Sequence, residues 1–297
     1  MSILNKVRKH GFRRSAQIAS GMAVDAFAKW MTRKAPAFEN PTPLELVQIE
    51  KDLAELGISI VDYKLDSAGF RAFQAAGYFP DDYHGGITGF VWDEKLLEHY
   101  LAAERLGLWS YASEDVYIDV AAASSPWAKS LRDKLGLSAF AIDLSLDGSE
   151  YMDLPFYRVE NATSTKFESE SVKGASLQCA YEMFMGDDDT NLLKEFSRIL
   201  KPGGKVLILP FYLHTHYCAY SSPKYYGRGY SDPQSKEYIY REWNGIPSAR
   251  FYDADALKRR VLDPIEALGM KYQMLILRDK EEYGSNIYCH FILEITK

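Results

Sequence analysis

The stretch LLKEFSRILKPGGKVLILPF, residues 192–211, decides how this chain reads. Leu192, Leu193, Phe196, Ile199 and Leu200 recur at helical spacing, so the segment opens as an amphipathic helix. Pro202 cannot continue that helix, and Gly203 and Gly204 permit the positive φ of a tight exit. Val206 to Leu209 follow at once as an unbroken apolar run, the pattern of a strand covered on both faces in a parallel sheet. A helix feeding such a strand is the repeating unit of a wound α/β sheet.

Outward from this stretch the same alternation continues. VYIDVA (116–121), SAFAIDL (138–144), a short run at 157–160, ASLQCAY (175–181) and KVLILPF (205–211) predict successive strands. Pro126 starts a helix through Leu131 and Leu135 that stops at Gly136, and 253–268 predicts another that closes at Gly269. Residues 272–277 and 287–295 predict two last strands joined by DKEEYGSN. Upstream, PAFENPTP (36–43) is a linker by composition, Thr42 is an N-cap for a helix ending at Gly57, 58–90 reads as irregular, and 92–108 returns to helix. The expectation is a doubly wound, seven-stranded, mostly parallel α/β sheet over 111–297, preceded by a helical N-terminal extension over 1–110.

With its LKPGG junction between helix and strand and its terminal strand pair, the stretch 111–297 resembles the class I methyltransferases that depend on S-adenosyl-L-methionine (SAM). The resemblance implies a methyltransferase that binds SAM at the carboxyl ends of its strands. No GxGxxG of the nicotinamide type is present. Where the family carries an acidic residue and a glycine-rich turn, this chain has Asp119-Val-Ala121-Ala122-Ala123-Ser124-Ser125-Pro126. The acid is in place and alanines replace the glycines. Ser124 and Ser125 could bond a carboxylate, as could the N–H groups of the helix that follows. By the same resemblance Asp143 is placed to accept from both ribose hydroxyls, Asn161 and Ala162 lie beside adenine, and Cys179 lies where the chain passes the sulfonium. Each has a plainer reading: Asp119 and the serines as helix caps, Asp143 as a loop cap, Asn161 as a turn former. The altered turn leaves open a second function, that of a methyltransferase-like scaffold without SAM.

Methyl transfer to an alcohol needs an aligned nucleophile and a base. His214 and His216, after the fifth strand, and Glu182, after the fourth, are the catalytic candidates. The histidine pair could also hold a metal, but two ligands alone make no site, and none is assigned. Asp187 to Asp189 read as helix-capping acids in preference to a magnesium site. Lys95, Glu98 and His99 read equally as a lid over the cleft or as a solvated helix face. Nine of the 21 tyrosines fall in 211–252, with Trp243, Arg228, Arg241 and Arg250. Such a segment suits a sugar, a glycan or another polar metabolite, although a packed aromatic mini-core explains it as well.

Composition limits the partners. The chain has 297 residues with a net charge of −6, yet residues 1–34 alone carry about +7. An acidic body argues against nucleic acid. The basic arm, which also contains Phe27, Trp30 and Met31, suits peripheral contact with an anionic membrane or docking on a protein. Three widely spaced cysteines indicate no disulfide framework, and a reducing cytoplasm is the simplest compartment. The expected reaction is O-methylation of a small polar or glycan acceptor.

Overall fold

The computed structural model describes residues 12–242, 245–284 and 286–297. The first eleven residues of the basic arm, and Trp243, lie outside the described residues.

The chain opens with α1 (Phe12–Met31) and α2 (Pro43–Glu55). A capping box starts α2: the Thr42 hydroxyl accepts from the Glu45 N–H, and the Glu45 carboxylate accepts from the Thr42 N–H at 2.8 Å. Then come β1 (Ile60–Tyr63), α3 (Ser67–Ala75), α4 (Trp92–Leu106), β2 (Val116–Val120), α5 (Trp127–Leu135) and β3 (Ser138–Asp143). They are followed by β4 (Tyr157–Val159), β5 (Val172–Gln178), α6 (Asp188–Ile199) and β6 (Leu200–Leu209). Three short strands, β7 (Cys218–Ser221), β8 (Lys236–Ile239) and β9 (Ala249–Phe251), form a small separate sheet in the order β8-β7-β9. A helical stretch over 254–267, called α7, leads to β10 (Lys271–Leu277) and β11 (Phe291–Thr296).

The main sheet runs β1-β10-β11-β6-β5-β2-β3-β4. Every pair is parallel except those of β11, which runs against both β10 and β6. The seven expected strands are therefore joined by an eighth, β1, from within the extension. The segment 58–90, expected to be irregular, supplies β1 and α3. Only four residues long and half exposed at the sheet edge, β1 lacks the alternation that marks a strand in sequence. Arg278 ties it down, bonding Asp62 at 2.7 Å and Glu50 of α2 at 2.8 Å.

The Pro-Gly-Gly exit is also tighter than expected. Leu200, next after the last residue of α6, already pairs with Val172, and after an irregularity in register Gly174 pairs with Lys205. Residues 201–204 form a bulged strand entry, not a loop. Gly203 has φ +76°, and a Cβ on Gly204 would meet the Lys201 carbonyl oxygen at 2.9 Å. Both glycines are needed for backbone reasons.

Each face of the sheet carries a helical layer. Ile49 and Leu53 of α2, Leu192 and Phe196 of α6, and Ile265 of α7 pack with Val206 and Ile208. Phe73 of α3, Leu97 and Leu101 of α4, and Trp127 and Leu131 of α5 pack with Leu207 and Leu209 on the other face. Alternate β6 residues thus serve opposite layers. The strand order reverses between β2 and β5, which opens a crevice at their carboxyl ends.

Candidate cofactor and active site

The bend after β2 retains the geometry of a glycine turn without glycines. Ala121 has φ 55° and Ala123 φ 47°. This left-handed conformation costs an L-residue about 1–2 kcal/mol. The buried Ala122 between them donates its N–H to the Ile142 carbonyl at 3.1 Å, and Ser125 N–H closes onto Ala122 O at 2.8 Å. Ala123 is exposed, so Ala123→Gly should remove strain without opening a cavity. The expected result is a gain of about 1 kcal/mol in urea unfolding; a loss of stability would show that the bend is unstrained.

Asp143, at the end of β3, accepts from Ala123 N–H at 2.8 Å through Oδ2 and from Ser145 N–H at 3.1 Å through Oδ1. It therefore caps its own loop and also braces the alanine bend. Each carboxylate oxygen has a second lone pair, and the side chain is only half buried, so two ribose hydroxyls remain within its capacity. Asn161 closes a turn through Oδ1, which accepts Thr163 N–H and Oγ1–H, both at 2.9 Å. Ala162 is buried beside it, and Ser124 is exposed on the bend. Ser125 accepts Trp127 N–H at the start of α5 and bonds Asp119.

A buried group of acids surrounds a single lysine at this crevice. Lys95 of α4 pairs with Glu98 at 2.8 Å, and the other Glu98 oxygen accepts the Cys179 thiol at 3.0 Å. The Cys179 sulfur, at a positive φ just past β5, is also 3.4 Å from the Tyr288 hydroxyl and 3.5 Å from that of Tyr212. Burial raises Asp119 to about 7, with Asp143 adding to the shift, while Ser125 and Lys95 oppose it. Burial likewise raises Glu182 to about 7, with Glu98 adding to it against Lys95. Glu94 is raised too, by burial and then by Glu98. Burial holds the Cys179 thiol well above its usual range, so it stays protonated and is a poor nucleophile.

Three oxygens of this group, Asp119 Oδ2, Glu94 Oε1 and Glu182 Oε2, are buried without a hydrogen-bond partner among the described residues. Unpaired buried acceptors are costly. SAM carries an ammonium and a sulfonium, positive groups that would partner the acids left over by Lys95. The residues present fit that cofactor.

Burial decides the ambiguous α4 residues. Glu94, Glu98 and His99 are at most 2 % exposed. They form the inner wall of the crevice, with the His99 ring 5.2 Å from Trp127 and 4.8 Å from Phe79. Sequence reasoning missed Glu94 and Tyr288. Glu94 shares a helix with the residues considered as a lid, whereas nothing local distinguishes Tyr288.

The three catalytic candidates do not converge. Glu182 belongs to the acid group. His214 and His216 lie instead with Tyr238, Thr215 and Phe38, and the contact path from Cys179 to His214 runs through the Tyr212, Phe251 and Phe38 rings. Asp189 does more than cap: its Oδ1 accepts the Thr190 N–H in the first turn of α6 at 2.9 Å, and the fully buried carboxylate also binds Arg250, Arg260 and the Tyr252 hydroxyl, so it joins α6 to α7 and β9. Much of the tyrosine-rich insertion is packed core: Tyr252 stacks on Phe211 at 5.5 Å and Tyr217 at 6.1 Å, and Phe38 meets Tyr220 at 4.7 Å. Arg250 is committed to Asp189, and Arg241 bonds the carbonyls of Thr32 and Ala35 after α1.

A family model described as a methyltransferase domain matches residues 118–208. Among solved structures, the chain is similar to a SAM-dependent methyltransferase from Methanosarcina mazei, at 17% identity over 63% of this chain and 94% of that one, with a TM-score of 0.39. It is also similar to one from Thermotoga maritima, at 18% identity over 69% and 94%, TM-score 0.40. A geranyl diphosphate C-methyltransferase from Streptomyces coelicolor is similar at 13% identity over 87% and 98%, TM-score 0.40. None of the curated proteins searched matches the chain. The matched segment runs from β2 to β6 and contains Asp119, Asp143, Cys179 and Glu182, and over it the chain is similar to methyltransferase domains.

Proposed function

We propose that the chain methylates an oxygen of a small polyhydroxy acceptor of the sugar type, with Glu182 as the base. The observation that carries this reading is Glu182 itself. It is buried in the short helical turn that follows β5 and Cys179, its Oε2 has no partner among the described residues, and burial raises its pKa to about 7. A carboxylate so placed accepts a hydroxyl proton at neutral pH. Three residues on, Met185 begins a surface cleft of about 480 Å³ whose lining includes Asp187, Tyr230, Ser231, Asp232 and Gln234. Such polar lining suits a ring with several hydroxyls.

Within this reading, SAM supplies an activated methyl group when bound. Asp143 holds the ribose, Asp119 answers the ammonium, and the layer formed by α4 and the 79–83 segment excludes water. Cys179 stays a neutral thiol and does not compete for the methyl group. Incubation of the full chain with methyl-labelled SAM and a panel of sugars and nucleotide sugars should yield a methyl ether, identified by mass. Neither turnover with any acceptor nor binding of S-adenosylhomocysteine would return the chain to the scaffold reading.

We also infer peripheral membrane contact through α1. Val24, Phe27, Trp30 and Met31 are exposed there, Phe27 by 63 %, beside Lys29, Arg33 and Lys34. Among the described residues no helix is long and apolar enough to cross a membrane. Sedimentation with anionic vesicles should be lost when residues 1–34 are removed; unchanged sedimentation overturns this inference.

A further inference from the structure

We propose that His214, His216 and Cys218 form a binding site for one divalent cation of the zinc type, apart from the methyl-transfer crevice. One ligand atom from each side chain lies within 4.8 Å of the other two. Bonds of about 2.0–2.3 Å to nitrogen and sulfur in a tetrahedron set the ligands about 3.3–3.8 Å apart. Closing by about 1 Å through side-chain rotation completes three of four positions, and water takes the fourth from the half-buried His216 side. Two imidazoles and a thiolate are borderline-soft donors that select zinc over magnesium or calcium.

The scaffold around these side chains is already ordered. The two imidazole rings stand 4.3 Å apart, and the Thr215 hydroxyl lies 3.2 Å from one Nδ1 and 3.4 Å from the other. Tyr238 Oη is 2.8 Å from His216 Nε2, the kind of outer-shell contact that orients a metal-binding imidazole, so Nδ1 is the nitrogen a metal would take in place of the Thr215 hydroxyl. The His214 ring bonds the Glu39 backbone, and the His214 backbone N–H donates to the Tyr252 carbonyl at 2.8 Å. Cys218 is fully buried on β7, the central strand of the small sheet, paired with Lys236 on one side and Phe251 on the other. Metal binding displaces the thiol proton to solvent and forms one metal–sulfur bond, so uptake is accompanied by proton release. The cation would fasten the insertion's central strand to the segment that leaves β6. This also explains why a histidine pair sits outside the acid group that surrounds Cys179.

Cobalt(II) tests the site directly. Titration of the tag-free full chain should give a saturable 1:1 spectrum with a near-ultraviolet thiolate-to-cobalt band and the intense visible bands of tetrahedral coordination. Zinc should bleach both. Cys218→Ser should abolish the thiolate band, and His216→Ala should weaken binding about tenfold or more. Cooperative melting of each variant without metal establishes that it is folded. A second readout is the melting temperature of the wild type, which a chelator should lower and zinc restore. The proposal is overturned if no saturable cobalt spectrum forms with folded wild type. It is equally overturned if the thiolate band survives Cys218→Ser, or disappears instead with Cys179→Ser or Cys289→Ser.

Discussion

Glu182→Gln is expected to lower kcat/KM by about 10²–10⁴-fold, the usual worth of a positioned general base. Glutamine keeps the shape of the side chain and loses only its ability to take a proton. Affinity for S-adenosylhomocysteine, which has no sulfonium, should change little. The wild-type pH profile of kcat/KM should rise through about 7 and then level, because burial and Glu98 hold Glu182 protonated below that value. In the variant this rise should vanish. A variant that retains most of its rate, or that loses S-adenosylhomocysteine binding in proportion to its rate, removes Glu182 from the chemistry.

The largest stability effect is expected at Asp189. Arg260 reaches its two oxygens at 2.7 and 3.0 Å, Arg250 pairs with it, and Tyr252 donates to it at 2.8 Å. Asp189→Ala leaves the buried Arg250 guanidinium without its counter-ion and Arg260 with only Asp232 and the exposed Asp187; breaking comparable buried pairs costs about 3–5 kcal/mol. Urea unfolding measures it, and a loss below about 1 kcal/mol would mean that water or Asp232 satisfies the arginines instead. Burial opposes the charge on Asp189, but the Arg260 hydrogen bond and the two arginine charges win and hold its pKa below 3.8. A carboxyl lowered in the folded state stabilises above its unfolded pKa, and that stability disappears as the pH falls through the folded value. The acid limb of the wild-type stability curve should therefore flatten in Asp189→Asn.

The strands of the main sheet were legible because a doubly covered strand leaves an unbroken apolar run, as in Val206 to Leu209, and because glycines punctuate the helix ends at 136 and 269. The strand β1 was not, since four half-exposed residues at a sheet edge carry no period. Asp119 and Asp143 were singled out by the resemblance, and both stand at the carboxyl ends of their strands. The alanine turn was read as a departure from the glycine pattern, yet its backbone at Ala121 and Ala123 adopts the conformation glycine would. Residue identity restricts φ without forbidding it, and the surrounding bonds from Asp143 and Ile142 supply what the substitution costs.

Asp187 to Asp189 show where local reasoning stops. Three acids before a helix satisfy every capping rule, and only the arrival of Arg250 and Arg260 from about 60 to 70 residues away turns the third into a buried ion-pair centre. Cys218 is similar: in the sequence it is only one of three widely spaced cysteines, and its distance to both imidazoles depends on a bend at 215–216 that the sequence pattern does not mark. Order of elements, layer pattern and the crevice position follow from periodicity, which is a local property of the chain. Which acids are buried together around Lys95, and which histidines stand apart from them, depends on long-range packing of α4 against β5 and β6, because desolvation and charge pairing are properties of neighbours in space.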